Sequence, residues 1–292
     1  MKNWLYLFLF ILLFSCTKSE NEIEIITSYS STNFINHEGI DREYVLHIPD
    51  SYSENTPLPL VINFHGFGQT IENYMEKVDM RPLANTESFI LVYPQGSLLG
   101  NAPHWNSCPP IENNKSLVDD FGFIEKMINQ IASEYNVDQE RIYAIGYSNG
   151  GMMAYGLAHH KSELIAGIGS VSGVMLGCFG TTSHPIPVIH LHGTLDFVLP
   201  YTGSKFFLSV QAVLDYWIEF NNTEVNPTVS IDSESDIPIE HYVYGSGDNG
   251  VSVEHYKYIS GNHGWFSAKY KGKSTAELLW DFLSQYDIEG LR

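Results

Sequence analysis

The chain has 292 residues, with 34 acidic and 15 basic side chains and a formal net charge of −19 when the histidines are neutral. A charge this negative excludes nucleic acid and anionic lipid as partners of the folded surface. It suits neutral or weakly charged substrates, although solubility alone explains the same balance. The length suits one large domain with a substantial core, which we expect to be a monomer.

The N-terminus has the composition of an export signal. A short basic start precedes about 11 apolar residues, which suits the h-region of a signal peptide and falls short of the ~20 residues of a membrane span. Residues 13–16, Leu-Phe-Ser-Cys, resemble a bacterial lipobox. We therefore predict a signal peptide over 1–15, a lipid on Cys16, and a polar tether with the N-terminal edge over 16–38. This places the protein on the extracytoplasmic side of the bacterial cell envelope, where only the lipid anchor contacts the membrane. Ordinary signal cleavage with an incidental Cys16 is the alternative.

Apolar, β-branched runs alternate with stretches of helical periodicity over residues 39–292, which we predict to be one domain. This alternation favours an α/β fold with a mostly parallel central sheet, helices on both faces and an antiparallel pair of strands at one edge. The predicted strands cover 22–26, 42–48, 60–65, 89–93, 142–147, 165–171, 188–191, 240–244 and 253–259, and the predicted helices cover 71–78, 117–135, 150–159, 205–222 and 275–286.

The second predicted helix has an apolar face that begins at Leu117 and recurs every three or four residues. Asp119 and Asp120 fall in its first turn, where the helix dipole favours acidic side chains, so we interpret both as structural. Residues 223–238 are rich in Ser, Asp, Asn and Pro and predict a surface excursion.

The strand predicted at 60–65 ends in His-Gly-Phe-Gly. A loop of this form after a strand can supply one backbone N–H to an oxyanion hole. We assign that donor to Phe67 because the glycines on both sides let its amide turn toward a site. His65 is expected to brace the loop through hydrogen bonds rather than to exchange protons.

The strand predicted at 142–147 continues into Gly-Tyr-Ser-Asn-Gly and then into residues at helical spacing. This is the setting in which G-x-S-x-G forms a nucleophile elbow, with the serine in a strained turn that Gly146 and Gly150 leave room for. Ser148 is the candidate nucleophile, and the amide of Asn149 is the second candidate oxyanion donor. The alternative is a strand–helix turn in which Ser148 only caps the helix.

An elbow serine needs an acid and a histidine later in the chain, in that order. Asp196 follows the strand predicted at 188–191, and His263 lies in a Gly-containing loop after the strand predicted at 253–259. Strand ends of this kind gather catalytic groups in α/β sheets. A turn-forming aspartate and a solvated loop histidine are the alternatives.

The remaining histidines and aromatic residues have less specific signals. His190 and His192 are expected to be packing residues of a strand, and we predict no metal and no cofactor, because no ligand cluster or phosphate-binding glycine loop is visible. Four aromatic residues are candidate platforms for an extended substrate, with core or rim packing as the alternative: Trp105, Tyr147, Tyr201 and Trp265.

Four motifs resemble the polyhydroxybutyrate depolymerase-like and feruloyl-esterase-like branch of the α/β-hydrolases, over a stretch from about residue 42 to the C-terminus. They are Phe-His-Gly-Phe-Gly-Gln at 64–69, Val-Asp-Asp-Phe-Gly-Phe-Ile at 118–124, Gly-Tyr-Ser-Asn-Gly-Gly at 146–151 and His-Gly-Thr-Leu-Asp at 192–196. The resemblance implies an α/β-hydrolase fold and a secreted serine esterase. The substrates it implies are hydroxyalkanoate esters, or plant cell-wall esters such as feruloyl or acetyl groups.

Three functions are compared. We favour a serine esterase that releases feruloyl or acetyl groups from plant or algal polysaccharide fragments by Ser-His-Asp acyl transfer. The first alternative is a depolymerase of polyhydroxybutyrate or other hydroxyalkanoate oligomers, and the second is a non-catalytic, lipid-anchored binding protein.

With Cys16 used for the lipid, an oxidising compartment permits a disulfide between Cys108 and Cys178, with two free thiols as the alternative.

Overall fold

The computed structural model describes residues 29–110 and 114–292. The predicted signal peptide, Cys16 and the strand predicted at 22–26 lie outside these residues. The strands are β1 Tyr29–His37, β2 Ile40–Ile48, β3 Leu58–Phe64, β4 Ile90–Pro94, β5 Ser97–Leu99, β6 Ala102–His104, β7 Val137–Tyr147, β8 Gly167–Val171, β9 Val188–Gly193, β10 Thr228–Asp232, β11 Ile239–Tyr244, β12 Val253–Tyr258, β13 Tyr286–Asp287 and β14 Gly290–Leu291. The α-helices are α1 Ile71–Met75, α2 Arg81–Glu87, α3 Asp120–Glu134, α4 Asn149–His160, α5 Val210–Phe220 and α6 Thr275–Leu283, and short 3-10 turns lie at Ser162–Leu164 and Asp248–Gly250.

A ten-stranded sheet forms the centre of the molecule, in the order β1-β2-β4-β3-β7-β8-β9-β12-β11-β10. The six strands from β4 to β12 in this order run parallel to one another. The pairs β1–β2 and β2–β4 at one edge, and β12–β11 and β11–β10 at the other, are antiparallel. Strands β3, β4, β8 and β9 are buried along their whole length. Full burial on both faces is typical of parallel strands and explains why most of their residues are apolar.

Helices cover both faces of the sheet. Helices α3, α4 and α5 contribute to one apolar cluster, and α1, α2 and α6 contribute to a second. Successive side chains of β3 point to opposite faces of the sheet, so Leu60 and Ile62 belong to the first cluster and Val61 to the second. The predicted fold class, a mostly parallel sheet with helices on both faces, is therefore confirmed.

Several element boundaries differ from the predictions. The antiparallel edge pair consists of β1 and β2, so residues 29–37 belong to the sheet. Leu117 is 69% exposed and precedes α3, because the Asp119 side chain accepts the Gly122 amide at 2.9 Å and caps the helix there. Helix α5 begins at Val210 because Ser209 caps it in the same way. The surface excursion predicted at 223–238 contains the edge strand β10. Both faces of this strand are at least partly exposed.

Among the described residues, no helix combines the length and the apolar character needed to cross a bilayer.

Candidate active site

The candidate nucleophile, Ser148, lies in a strained turn between β7 and α4, with φ 55° and ψ −116°. Its amide donates to the carbonyl of Val171 on β8 at 2.8 Å. A Cβ on Gly146 would lie 2.4 Å from the Gly150 carbonyl oxygen, and a Cβ on Gly150 would lie 2.1 Å from the carbonyl oxygen of Phe64. Only glycine fits at both positions, so the packing of strand, helix and neighbouring loop holds the serine in this conformation.

The structure brings Ser148, His263 and Asp196 together at the carboxyl ends of β7, β12 and β9. His263 Nδ1 lies 2.7 Å from Asp196 Oδ2, and His263 Nε2 lies 2.9 Å from Ser148 Oγ. Because an ionised carboxylate can only accept, Nδ1 carries the hydrogen and Nε2 is left to accept the serine proton. This is the arrangement of a general base between a nucleophile and an orienting acid.

The loops that carry the acid and the histidine are tied to each other. The amide of Leu195 donates to the Gly261 carbonyl at 2.9 Å, and a Cβ on Gly193 would lie 2.2 Å from the same oxygen. The hydroxyl of Ser172, at the end of β8, donates to the carbonyl of Gly264 at 2.8 Å. These contacts fix His263 relative to the sheet, although its own loop contains glycines.

Asp196 is buried and held as a carboxylate. The amides of Val198 and Leu199 donate to its Oδ1 at 2.9 and 2.8 Å. Burial acts to raise the pKa of Asp196, but the donors on His192 and His263 and the Leu199 amide outweigh it and hold the pKa well below its usual range. Asp196 therefore stays negative and can stabilise a protonated His263.

The two predicted oxyanion donors lie on adjoining loops. Asn149 is the first residue of α4, so its amide has no carbonyl one turn earlier in the helix. In the turn after β3, the amides of Gly66, Gly68 and Gln69 are hydrogen-bonded, whereas no partner is seen for the Phe67 amide within the described ranges. A Cβ on Gly66 would lie 2.9 Å from the Tyr147 ring, so this turn lies against the elbow.

His65 braces that turn from below. Its Nδ1 donates to the Gly66 carbonyl at 2.7 Å, and its Nε2 accepts the Gly96 amide at 2.9 Å. Burial lowers the pKa of His65 to about 4. Because both ring nitrogens are occupied and the ring is buried, the imidazole stays neutral, as a bracing role requires.

Of the four aromatic platforms, the prediction for Trp105 is wrong. Its ring is fully buried against Phe64, and its Nε1 donates to the His65 carbonyl at 3.0 Å, so it supports the oxyanion loop from inside. Tyr201 is half-buried, and its hydroxyl lies 2.8 Å from His255 Nε2, which directs it toward the core beneath the site.

The other two platforms, Tyr147 and Trp265, are half-buried, and the Tyr147 ring lies 5.2 Å from that of His263. The most exposed aromatic residue near the candidate site was missed. Phe197, directly after Asp196, is 82% exposed. Its signal in the sequence is the apolar run Phe-Val-Leu at 197–199, which directly follows the acid in the turn.

A buried ion pair beneath the site was also missed. The sequence predicts a structural role for Asp120 through the helix dipole, and the structure adds a buried ion pair to that role. Its carboxylate accepts from Arg42 Nη2 and from the Asn106 amide, both at 2.7 Å. The Asn149 side chain in turn exchanges hydrogen bonds with the backbone of Trp105 at 2.7 and 3.1 Å. The ion pair therefore anchors the segment that holds the residue after the nucleophile.

A disulfide joins Cys108, in the same segment, to Cys178, in the loop after β8, with a Cα–Cα distance of 5.8 Å. It connects the loops that follow β6 and β8 on this side of the sheet. The structure does not describe Cys16.

His190 and His192 are fully buried on β9, stacked 5.3 Å apart. In the described ranges, one group of side chains has the donor types for a metal, and its donor atoms lie within 4.8 Å of one another: His37, Glu38 and Asp119. Asp119 caps α3, and His37 Nε2 lies 3.3 Å from its carboxylate, so two of these three side chains also have partners within the protein.

A strained elbow serine, a histidine and an acid at the carboxyl ends of a mostly parallel sheet define the α/β-hydrolase class. Residues 51–233 match the model of the Phospholipase/Carboxylesterase family. The chain belongs to this family.

Among curated proteins, the chain is 27% identical over 262 residues to a bifunctional acetylxylan esterase/xylanase of Neocallimastix patriciarum, covering 87% of this chain and 34% of that protein. It is 33% identical over 168 residues to a probable feruloyl esterase C of Aspergillus niger, covering 57% of this chain and 59% of the relative. The chain thus spans less than two thirds of the length of either relative.

Solved structures share the fold. An acetyl xylan esterase from Aspergillus awamori has a TM-score of 0.65 at 15% identity, covering 87% of this chain and 99% of that one. A CE1 ferulic acid esterase from Anaeromyces mucronatus has a TM-score of 0.56 at 16% identity, covering 92% and 93%. At these identities the likeness establishes the fold alone.

Proposed function

We propose that the protein is a serine carboxylic-ester hydrolase that releases feruloyl or acetyl groups from polysaccharide fragments. The observation that carries the proposal is the hydrogen-bonded series from Ser148 through His263 to Asp196 at a strained elbow. The family match and the similarity to feruloyl and acetylxylan esterases support the reaction and the substrate class.

The proposed reaction is two-step acyl transfer. His263 Nε2 takes the proton of Ser148 as Oγ attacks the ester carbonyl, and Asp196 stabilises the imidazolium that forms. The amides of Phe67 and Asn149 stabilise the tetrahedral oxyanion, each by about 3 kcal/mol. The imidazolium then protonates the departing alcohol, and water, deprotonated by the same imidazole, releases the acid from Ser148.

The exposed apolar residues beside the acid and the oxyanion loop favour an aryl acyl group. Phe197 is 82% exposed and Phe67 is 55% exposed. A feruloyl ring is large enough to cover such side chains, whereas an acetyl group is not. We expect Phe197→Ala to raise KM for methyl ferulate about tenfold and to leave the KM of an acetyl ester unchanged. Equal effects on both esters would remove this support for an aryl substrate.

The central experiment measures turnover of methyl ferulate, acetylated xylan and hydroxybutyrate oligomers by the wild type and by Ser148→Ala. We expect the variant to lose at least about a thousandfold in kcat. Ser162→Ala is the matched control, because it removes a buried hydroxyl after the far end of α4. Unchanged turnover in Ser148→Ala would refute the proposed mechanism. Cleavage of the hydroxybutyrate oligomers alone would make the protein a polyester depolymerase instead.

The proposed location is the extracytoplasmic side of the cell envelope, with a lipid on Cys16. The support is the lipobox-like sequence at 13–16 after an apolar run. Metabolic labelling with a fatty-acid analogue tests it: the wild type should incorporate label, and Cys16→Ala should not. Equal labelling would place the lipid elsewhere, and no labelling would favour ordinary cleavage.

A further inference from the structure

A second histidine lies against the acid of the candidate triad. His192, at the end of β9, is fully buried, and its Nε2 lies 3.2 Å from Asp196 Oδ2, the oxygen that also receives His263 Nδ1. The same Nε2 lies 2.9 Å from the carbonyl oxygen of Leu199. His192 thus contacts both the carboxylate and the loop that carries it.

The chemistry of these contacts defines the tautomer. A carbonyl oxygen and an ionised carboxylate can only accept, so His192 Nε2 carries the hydrogen. His192 Nδ1 has no hydrogen-bond partner among the described residues, so a second hydrogen there would be buried without an acceptor. His192 Nε2 is therefore a donor whose N–H bond is directed at the acid loop.

The acid loop depends on this donor for its shape. Leu199, whose carbonyl accepts from His192, donates its own amide to Asp196 Oδ1 at 2.8 Å. Its side chain is buried in a small apolar cluster with Met152 of α4 and Val174. His192 therefore connects β9 to the segment that holds one carboxylate oxygen, and it directly approaches the other.

The neighbouring His190 shows that packing alone does not require this arrangement. It has the same burial on the same strand, but its Nδ1 bonds the Tyr155 hydroxyl at 2.7 Å, away from Asp196. The two rings stack, so both contribute to the core. Of these two strand histidines, His192 is the one that reaches the acid.

We propose that His192 is a positioning residue for the reaction: it holds the Asp196 carboxylate in the orientation that His263 needs. The inference rests on the proposed function, because it assigns the role through Asp196. Replacing His192 should change kcat and leave substrate binding unchanged, since His192 is buried beneath the acid.

The test compares His192→Leu, His192→Gln and the matched control His190→Leu, with kcat expressed per active site from the burst of a nitrophenyl ester. We expect His192→Leu to lower kcat about tenfold, the effect of losing one hydrogen bond to a charged or strained group, with KM changed by less than about twofold. Glutamine can place an amide N–H near the Leu199 carbonyl, so His192→Gln should recover most of the loss. His190→Leu should keep kcat within about twofold of the wild type.

Measuring His192→Leu in the Asp196→Asn variant separates a positioning role from a nonspecific effect on packing. If His192 acts through the carboxylate, adding His192→Leu to Asp196→Asn should lower kcat by less than about twofold, because coupled residues are not additive. An undiminished tenfold loss in that background, equal losses in His192→Leu and His190→Leu, or no recovery with glutamine would each overturn the inference. Ser148-dependent turnover with an unaffected His192→Leu would overturn the inference alone, whereas turnover independent of Ser148 would overturn the proposed function.

Discussion

The buried pair of Arg42 and Asp120 gives a sharp test of how the candidate site is supported. The two side chains are 3% and 0% exposed, and their nearest charged atoms are 2.7 Å apart. Arg42 also donates to the Gln95 carbonyl at 3.1 Å and lies over the Phe123 ring. The perturbation is Asp120→Asn, which keeps the shape and an acceptor for the Asn106 amide but removes the negative charge.

The expected loss of stability follows from the charge that is left behind. Burial raises the pKa of Asp120, although Arg42 and the Asn106 amide act to lower it. Burying the two charges therefore costs desolvation free energy, which their mutual attraction offsets only in part. Removing one charge leaves the Arg42 guanidinium buried without a counter-charge, which costs about 3–5 kcal/mol in comparable sites. For a domain of this size that corresponds to a melting temperature lower by about 10 °C.

The assay is urea unfolding monitored by tryptophan fluorescence, and the melting temperature of each variant is measured as well. Asp119→Asn is the control, because it makes the same chemical change one residue earlier, where asparagine caps a helix about as well as aspartate. Adding Arg42→Met to Asp120→Asn should restore much of the loss, since a buried pair can often be replaced by apolar groups. Equal losses for the two aspartates, or no recovery in the double variant, would refute the reasoning.

Three further outcomes are expected. Gly150→Ala places a Cβ 2.1 Å from the Phe64 carbonyl oxygen and should cost about 4 kcal/mol or more in unfolding free energy; urea midpoints within error of the wild type would contradict this. Replacing both Cys108 and Cys178 by serine opens a loop of 70 residues and should lower the unfolding free energy by about 4 kcal/mol; a loss below about 1 kcal/mol would show that the loop is not the main constraint. Burial lowers the pKa of His65 from 6.5 to about 4, so the unfolded chain binds a proton that the native state refuses, and the contribution of His65 to stability should rise with pH between these values by about 3 kcal/mol. NMR of the imidazole should show it neutral across most of this window; a midpoint near 6.5 would rule the argument out.

The sequence by itself determined the features that depend on neighbours in the chain. Gly146, Ser148 and Gly150 lie within five residues, so the elbow could be predicted from the local pattern. The contact that excludes a side chain at Gly150 comes from Phe64 on β3 and was visible only in the fold. The buried parallel strands were predicted because each contains a cluster of apolar or β-branched residues. The order of Ser148, Asp196 and His263 along the chain was enough to nominate them, because each follows the end of a predicted strand.

Only the tertiary structure decided which side chains are buried and which face the solvent. Trp105 and Phe197 are both aromatic residues in loops, yet the first is fully buried and the second is 82% exposed. Asp119 and Asp120 are adjacent and chemically identical, yet one caps a helix at the surface and the other pairs with Arg42, 78 residues away. Such outcomes depend on contacts between distant segments, and local sequence contains no information on which distant group will be near. His192 and Asp196 are only four residues apart, but their contact depends on how the loop after β9 folds back over its own strand, and the local pattern does not determine this.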